Sequence, residues 1–122
     1  MRGSVPLLAL LAVLGAAAPA AAATPAPAQL ARGERLVRIH CSGCHAVALK
    51  GASPNHAAPP FRELHTRYNI DDLAEGLAEG LLTGHPAMPE FMFSPDDVQA
   101  IIAYLKSIQT HQEAGLPTAT GR

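Results

Sequence analysis

The chain has 122 residues, with nine lysines and arginines, ten aspartates and glutamates, and a formal net charge of −1. This near-neutral balance, without any basic run, excludes nucleic acid and anionic membrane surfaces as expected partners. The chain contains no Trp, three Phe and two Tyr, which is a thin inventory for a hydrophobic core. We therefore expect something besides side chains to fill the middle of the fold.

The first 23 residues have the pattern of a secretory signal peptide. Arg2 gives the positive start, an apolar region follows over residues 5–18, and an alanine-rich run offers cleavage near Ala22 or Ala23. The strongly apolar stretch, residues 7–14, is shorter than the roughly 20 residues of a membrane-spanning helix, which favours cleavage over anchoring. Loss of Arg2 would leave eight basic and ten acidic side chains, a net charge of −2.

Residues 24–29 are predicted to form an extended Pro/Ala linker, followed by one domain over residues 30–109 and a frayed tail over 110–122. The first helical pattern covers residues 30–40 and contains Gly33. A breaker-rich loop follows over 46–60, and residues 61–68 can form a short helix.

Two more helices complete the prediction. The middle one is capped by Asn69, presents an apolar face and is expected to end at Gly84. The last one starts with Ser94 as N-cap and Pro95 at the first helical position, and then shows an apolar stripe. This stripe comprises Val98, Ile101, Ile102, Leu105 and Ile108. No alternating strand pattern appears, so the predicted fold class is all-α.

Both cysteines lie in the motif Cys41-Ser-Gly-Cys44-His45. A structural zinc site would require four ligands, and the remaining histidines show no suitably spaced pair. A redox dithiol is usual at a strand–helix junction, whereas this motif follows a helix in a chain without strands. A disulfide would close only a very short loop and would leave His45 unexplained.

Covalent haem attachment accounts for all three residues of the motif. Thioether bonds from Cys41 and Cys44 would fix one edge of the porphyrin, and His45 would reach the iron from below. A haem would also supply the missing core volume. The motif therefore favours one haem c, with His45 as its proximal ligand.

The order of these elements resembles that of the class I c-type cytochromes over nearly the whole mature chain: a helix running into Cys-x-x-Cys-His, a variable loop, a middle helix, a Met-Pro loop and a last helix. The resemblance implies a small fold of three main helices around one haem. It implies that Gly33 packs against Tyr104 where the first and last helices cross. It also implies that the Pro59 carbonyl, with Pro60 as the nearby alternative, accepts a hydrogen bond from His45.

The resemblance further implies that Met88, in the Met-Pro loop, is the second axial ligand. Met92 is the alternative methionine and is expected to pack beside the haem instead, and His85, in the same loop, is the rival histidine. The other histidines are expected to be solvated or hydrogen-bonded; these are His40, His56, His65 and His111.

The function expected from this resemblance is one-electron transfer in a bacterial periplasm, without catalytic residues. The partners would be a redox donor and acceptor that dock transiently on a monomer, with no stable membrane insertion after cleavage. Two alternatives stay open: a subunit of a dehydrogenase or oxidase complex, and a five-coordinate haem protein that binds small ligands or reduces peroxide.

Overall fold

The computed structural model describes residues 23–80 and 87–110. Within these ranges the chain forms α-helices and 3₁₀ helices and no β-strand, which confirms the predicted all-α class. In chain order the elements are α1 (Pro27–His40), a 3₁₀ helix (Phe61–Thr66), a second 3₁₀ helix (Ile70–Asp72), α2 (Leu73–Glu79) and α3 (Pro95–Ser107).

Helix α1 begins at Pro27, three residues before the predicted start at Leu30. Proline is well suited to the first helical position, because its backbone angle φ is already helical and the missing N–H would have had no partner there. The Ala26 carbonyl accepts the first hydrogen bonds, from the backbone N–H groups of Gln29 and Leu30. Residues 27–29 therefore form the first turn of the helix, and the prediction that they are extended linker was wrong.

The middle helix is shorter than predicted. The Asn69 side chain accepts a hydrogen bond from the Asp71 N–H at 3.2 Å, as a capping residue should, and α2 follows the short 3₁₀ turn. Helix α2 then ends at Gly80, whose φ of +103° suits glycine and interrupts the helical path. The predicted end at Gly84 lies outside the described residues.

Helix α3 forms as predicted. The Ser94 hydroxyl accepts a hydrogen bond from the Asp97 N–H at 3.3 Å, and Pro95 occupies the first turn. All five predicted stripe residues are buried: Val98, Ile101, Ile102, Leu105 and Ile108. Four of these residues lie in α3, and Ile108 is its C-cap.

Helices α1 and α3 form the main helix–helix contact of the described chain, and Gly33 lies at its centre. A Cβ atom at Gly33 would lie 2.7 Å from the carbonyl carbon of Ala100 and 2.8 Å from Cβ of Tyr104. Because neither distance leaves room for a methyl group, only glycine allows the helices to approach this closely. The expected packing of Gly33 against Tyr104 is present.

The hydrophobic core joins α1 and α3 to the segment that follows the cysteine motif and to the 3₁₀ helices. Its buried members outside α3 are Val37, Val47, Phe61, Leu64, Ile70 and Ile108. No helix within residues 23–80 and 87–110 has the length and apolarity needed to cross a bilayer. Residues 1–22 of the predicted signal peptide and 111–122 of the predicted tail lie outside the described residues.

Candidate functional site

The cysteine motif is a helical turn that continues α1. The Cys41 N–H donates to the Val37 carbonyl at 2.9 Å, and the N–H groups of Cys44 and His45 both donate back to the Cys41 carbonyl, at 3.2 and 3.0 Å. Residues three and four apart lie on the same side of such a turn. The turn therefore brings Cys41, Cys44 and His45 together at the end of α1.

The two thiols have different surroundings. Cys41 is half-buried and packs against the core, whereas Cys44 is exposed, and no disulfide joins these two described residues. Burial raises the pKa of the Cys41 thiol to about 11. The Cys41 side chain is consequently a neutral thiol at physiological pH.

The imidazole of His45 is fixed by the loop that follows it. Its Nδ1 lies 2.8 Å from the Pro59 carbonyl oxygen. Because a carbonyl oxygen only accepts, Nδ1 is the nitrogen that donates in this hydrogen bond, and in a neutral ring the lone pair then lies on Nε2. The ring also packs against Phe61, with centroids 4.7 Å apart. The contact implied for Pro59, rather than Pro60, is thus present in the structure.

Loop 46–60 is held closed by hydrogen bonds that sequence reasoning missed. The buried Ser53 hydroxyl accepts from the Ala46 N–H at 3.0 Å, and the Ala46 carbonyl accepts from the Phe61 N–H at 2.9 Å. The Asn55 N–H donates to the Cys44 carbonyl at 3.1 Å. These bonds tie the second half of the loop and the residue that follows it to Cys44 and Ala46, the neighbours of His45.

Tyr104 adds a fixed point from the last helix. Its buried hydroxyl donates to the Val47 carbonyl at 2.7 Å, and burial raises the pKa of this phenol. In the sequence, Tyr104 was noted only for its contact with Gly33. Its hydroxyl was the signal for the additional hydrogen bond, since a buried Tyr usually requires a hydrogen-bond partner. One side chain thus links α1, α3 and the segment after His45.

The methionine-containing loop is described from residue 87 onward. Met88 is half-buried in a turn, whereas Met92 is 79% exposed. The Phe93 N–H donates to the Leu77 carbonyl at 2.9 Å, which connects this loop to α2. The rival ligand His85 lies outside the described residues.

The remaining described histidines have no common site. His56 is exposed, and Nδ1 of His65 lies 3.0 Å from the Gln109 side-chain oxygen. His40 is exposed at the end of α1, yet its ring contacts two phenylalanines of the methionine-containing loop, a contact that the sequence did not reveal. Within the described part of the chain, no three His, Cys, Asp or Glu side chains are grouped so as to hold a metal ion.

The chemistry of the donor set fits a covalently attached haem. The motif presents two thiols that are not consumed by a disulfide, and the adjacent imidazole has its Nδ1 satisfied and its Nε2 available for iron. The hydrogen bond to Pro59 would also strengthen the basicity of a ligating imidazole.

Comparison with known proteins identifies the family to which the chain belongs. Residues 28–105 match the family described as cytochrome C oxidase, cbb3-type, subunit III. The chain is 31% identical over 94 residues to the cytochrome bc1 complex cytochrome c subunit of Corynebacterium diphtheriae, an alignment that covers 73% of this chain and 31% of that protein. The chain therefore spans about a third of the length of the curated relative it matches. No solved structure matches the chain significantly. The chain belongs to the family described as cytochrome C oxidase, cbb3-type, subunit III, and its domain is a class I c-type cytochrome.

Proposed function

We propose that this domain carries one electron at a time on a single haem c attached through Cys41 and Cys44, with His45 and Met88 as axial ligands. When bound, haem iron supplies a reversible one-electron couple whose potential depends on its axial ligands. The observation that carries the proposal is the hydrogen bond from His45 Nδ1 to the Pro59 carbonyl, 2.8 Å long, next to two unpaired thiols.

The protein residues in this proposal keep the ligands in place in both oxidation states. The turn at the end of α1 would hold the two cysteines on one side of the chain. The Pro59 carbonyl orients the His45 ring, and the Ser53 hydroxyl holds the N–H of the next residue, Ala46. Because these groups belong to one hydrogen-bonded unit, little needs to rearrange when an electron arrives or leaves.

Met88 is the preferred second ligand because of its position and burial. It is half-buried and is followed directly by Pro89, which restricts the backbone at this point, whereas Met92 is 79% exposed. A thioether favours ferrous iron more than an imidazole does, so a His/Met pair gives a higher potential than two histidines.

The expected partners are a redox donor and acceptor that dock briefly on a monomer. Ser42, Gly43 and Cys44 are exposed within the motif, and the flanking segments carry few charges, notably Lys50 and Glu90. Such a surface supports a small interface with modest salt dependence. Electron-transfer rates from stopped-flow measurements should then change little with ionic strength, and a steep fall would contradict this docking mode.

The alternative is that the domain serves inside a larger complex. The relative from Corynebacterium diphtheriae is named as a subunit of a cytochrome bc1 complex, and the matched family is named after an oxidase subunit. Fractionation of native cells distinguishes the two cases: a free carrier is recovered alone from the periplasmic fraction, whereas a dedicated subunit co-purifies with its complex. The same fractionation tests periplasmic location and signal cleavage near Ala22 or Ala23.

The ligand set is tested by redox-titrated visible spectroscopy of the exported protein. The oxidised wild type should show the weak sulfur-to-iron charge-transfer band in the red, and its mass should include one haem. Met88→Ala should abolish the band, and Met92→Ala, the matched control in the same loop, should retain it. Loss of the band only in Met92→Ala would refute the assignment, and a mass without haem would refute the proposed function.

Rapid binding of carbon monoxide to the reduced wild type would indicate that the second axial position is open. The protein would then be a five-coordinate ligand-binding haem protein, which is the other alternative raised by the sequence. A six-coordinate carrier should bind carbon monoxide slowly, and Met88→Ala should bind it fast.

A further inference from the structure

We infer that His40 is a positioning residue for Met88, because its ring fastens residues 87–93, the methionine segment, to the end of α1. The inference rests on the proposed function, in which the Met88 thioether binds iron. It concerns a histidine that is neither a ligand nor part of the attachment motif.

The evidence is a cluster of three rings, which we call the aromatic clasp: His40, Phe91 and Phe93. The His40 ring centroid lies 5.7 Å from that of Phe91 at an interplanar angle of 66°, and 5.3 Å from that of Phe93 at 76°. The two phenylalanine rings stack at 5.7 Å and 26°. Edge-to-face contacts of this kind are favourable, because the positive edge of one ring meets the negative face of another.

The clasp connects the methionine segment to the part of the chain that carries the attachment motif. His40 is the last residue of α1 and immediately precedes Cys41. The segment has a second described attachment, the hydrogen bond from the Phe93 N–H to the Leu77 carbonyl. That bond joins the segment to α2, and Phe93 also packs against the hydrophobic core. The clasp is the described ring contact that joins the segment to the last residue of α1, next to Cys41.

This arrangement matters because a thioether is a weak ligand that competes with external ligands. If the segment is held in place, Met88 returns to iron after each dissociation. If the clasp is removed, the segment samples more positions, and an added imidazole replaces the thioether more easily. Loss of two aromatic contacts should strengthen the apparent binding of imidazole about tenfold.

The experiment is an imidazole titration of the oxidised, haem-loaded protein, followed through the charge-transfer band in the red. The variants are His40→Ala, which removes the ring, and His40→Phe, which keeps a ring without its nitrogens. Ile39→Ala is the matched control, since Ile39 is the preceding residue and is 68% exposed. We expect about tenfold tighter imidazole binding for His40→Ala, and binding within about twofold of the wild type for His40→Phe and Ile39→Ala.

Two results would overturn the inference while leaving the ligand assignment intact. One is an imidazole affinity in His40→Ala equal to that of the wild type. The other is an equal increase in imidazole affinity in His40→Ala and His40→Phe, which would show that an aromatic ring at position 40 does not hold the methionine segment. Should His40→Ala yield no haem-loaded protein, Phe91→Leu removes one side of the clasp and should tighten imidazole binding about threefold. Unchanged affinity in that variant would equally refute the clasp.

Failure of the proposed function would be detected by a different measurement, made on the wild type and Met88→Ala before any clasp variant is prepared. If the oxidised wild type lacks the charge-transfer band, or if Met88→Ala keeps it, then Met88 is not the ligand. The clasp would then have no thioether to position, and the inference would fall with the assignment.

Discussion

Replacing Gly33 by alanine should destabilise the protein, because the added methyl group would collide with α3. The atoms it would meet first belong to the backbone of Ala100, including its carbonyl carbon at 2.7 Å, and to Cβ of Tyr104 at 2.8 Å. Neither partner can rotate away, since one is a helix backbone and the other is the first atom of a buried side chain. Helices α1 and α3 must therefore separate.

The size of the effect follows from two opposing contributions. Overpacking a tight interior costs about 1–3 kcal/mol, and a collision with backbone lies at the upper end of this range. Alanine in a helix interior recovers about 1 kcal/mol relative to glycine. The net loss in the free energy of unfolding should be about 2 kcal/mol, which for a domain of this size lowers Tm by roughly 8–16 °C.

The assay is equilibrium unfolding in guanidinium chloride, followed by far-ultraviolet circular dichroism. Ala31→Gly is the matched control, since Ala31 lies two residues earlier in α1 and is exposed. This control measures the glycine–alanine preference of the helix without any collision, and it should cost about 1 kcal/mol. Gly33→Val, with a larger side chain, should lose more stability than Gly33→Ala.

A Gly33→Ala protein as stable as the wild type, or more stable, would refute this reasoning. Such a result would mean that helix preference outweighs the collision, so that the helices do not cross closely at Gly33. Equal losses in the alanine and valine variants would also argue against a steric cause.

Three further predictions concern hydrogen bonds. Tyr104→Phe leaves the Val47 carbonyl without its partner and should lower the free energy of unfolding by about 1–2 kcal/mol in the same denaturant assay; no loss would show that water replaces the hydroxyl. Ser53→Ala leaves the Ala46 N–H without a hydrogen-bond acceptor and should lower the free energy of unfolding by a similar amount, about 1–2 kcal/mol. Limited proteolysis should then cleave loop 46–60 faster than in the wild type. The hydrogen bond from the capping residue Ser94 is the largest cause that lowers the pKa of the Asp97 carboxyl group below its ordinary value of 3.8. The ionised Asp97 therefore stabilises the folded protein at pH values above 3.8, and this stabilisation is lost as the pH falls through the pKa that Asp97 has in the folded protein. Asp97→Asn should therefore be less stable than the wild type near neutral pH, with the two converging in acid, and a pH-independent difference would contradict this.

The elements with local signals could be predicted from the sequence. Helix α3 carries its own start signal in Ser94 and Pro95 and its own apolar stripe, so its first residue and its buried face follow from local pattern. Asn69 likewise marked the start of the middle helical region. The proposed attachment motif could also be recognised in the sequence, because Cys41, Cys44 and His45 are neighbours in the chain.

Helix limits without a strong local signal were missed. The sequence placed the start of α1 after the Pro/Ala run, although Pro27 is compatible with a first helical position. It also carried the middle helix through Gly80, because an isolated glycine within an apolar period does not show whether it is tolerated or adopts positive φ. Packing decides between these outcomes.

For the candidate site too, some features follow from local sequence and others from tertiary packing. The amino-acid sequence by itself led to the proposed haem-attachment chemistry and determined the all-α class and the helix that closes the core, since these depend on residue types at short spacing. Only the tertiary structure decided which groups hold the motif in place: Ser53 and Tyr104 around the segment after His45, and His40 against the methionine segment. These contacts join residues far apart in the chain, and their energies depend on distance and burial, which no local pattern of residues encodes.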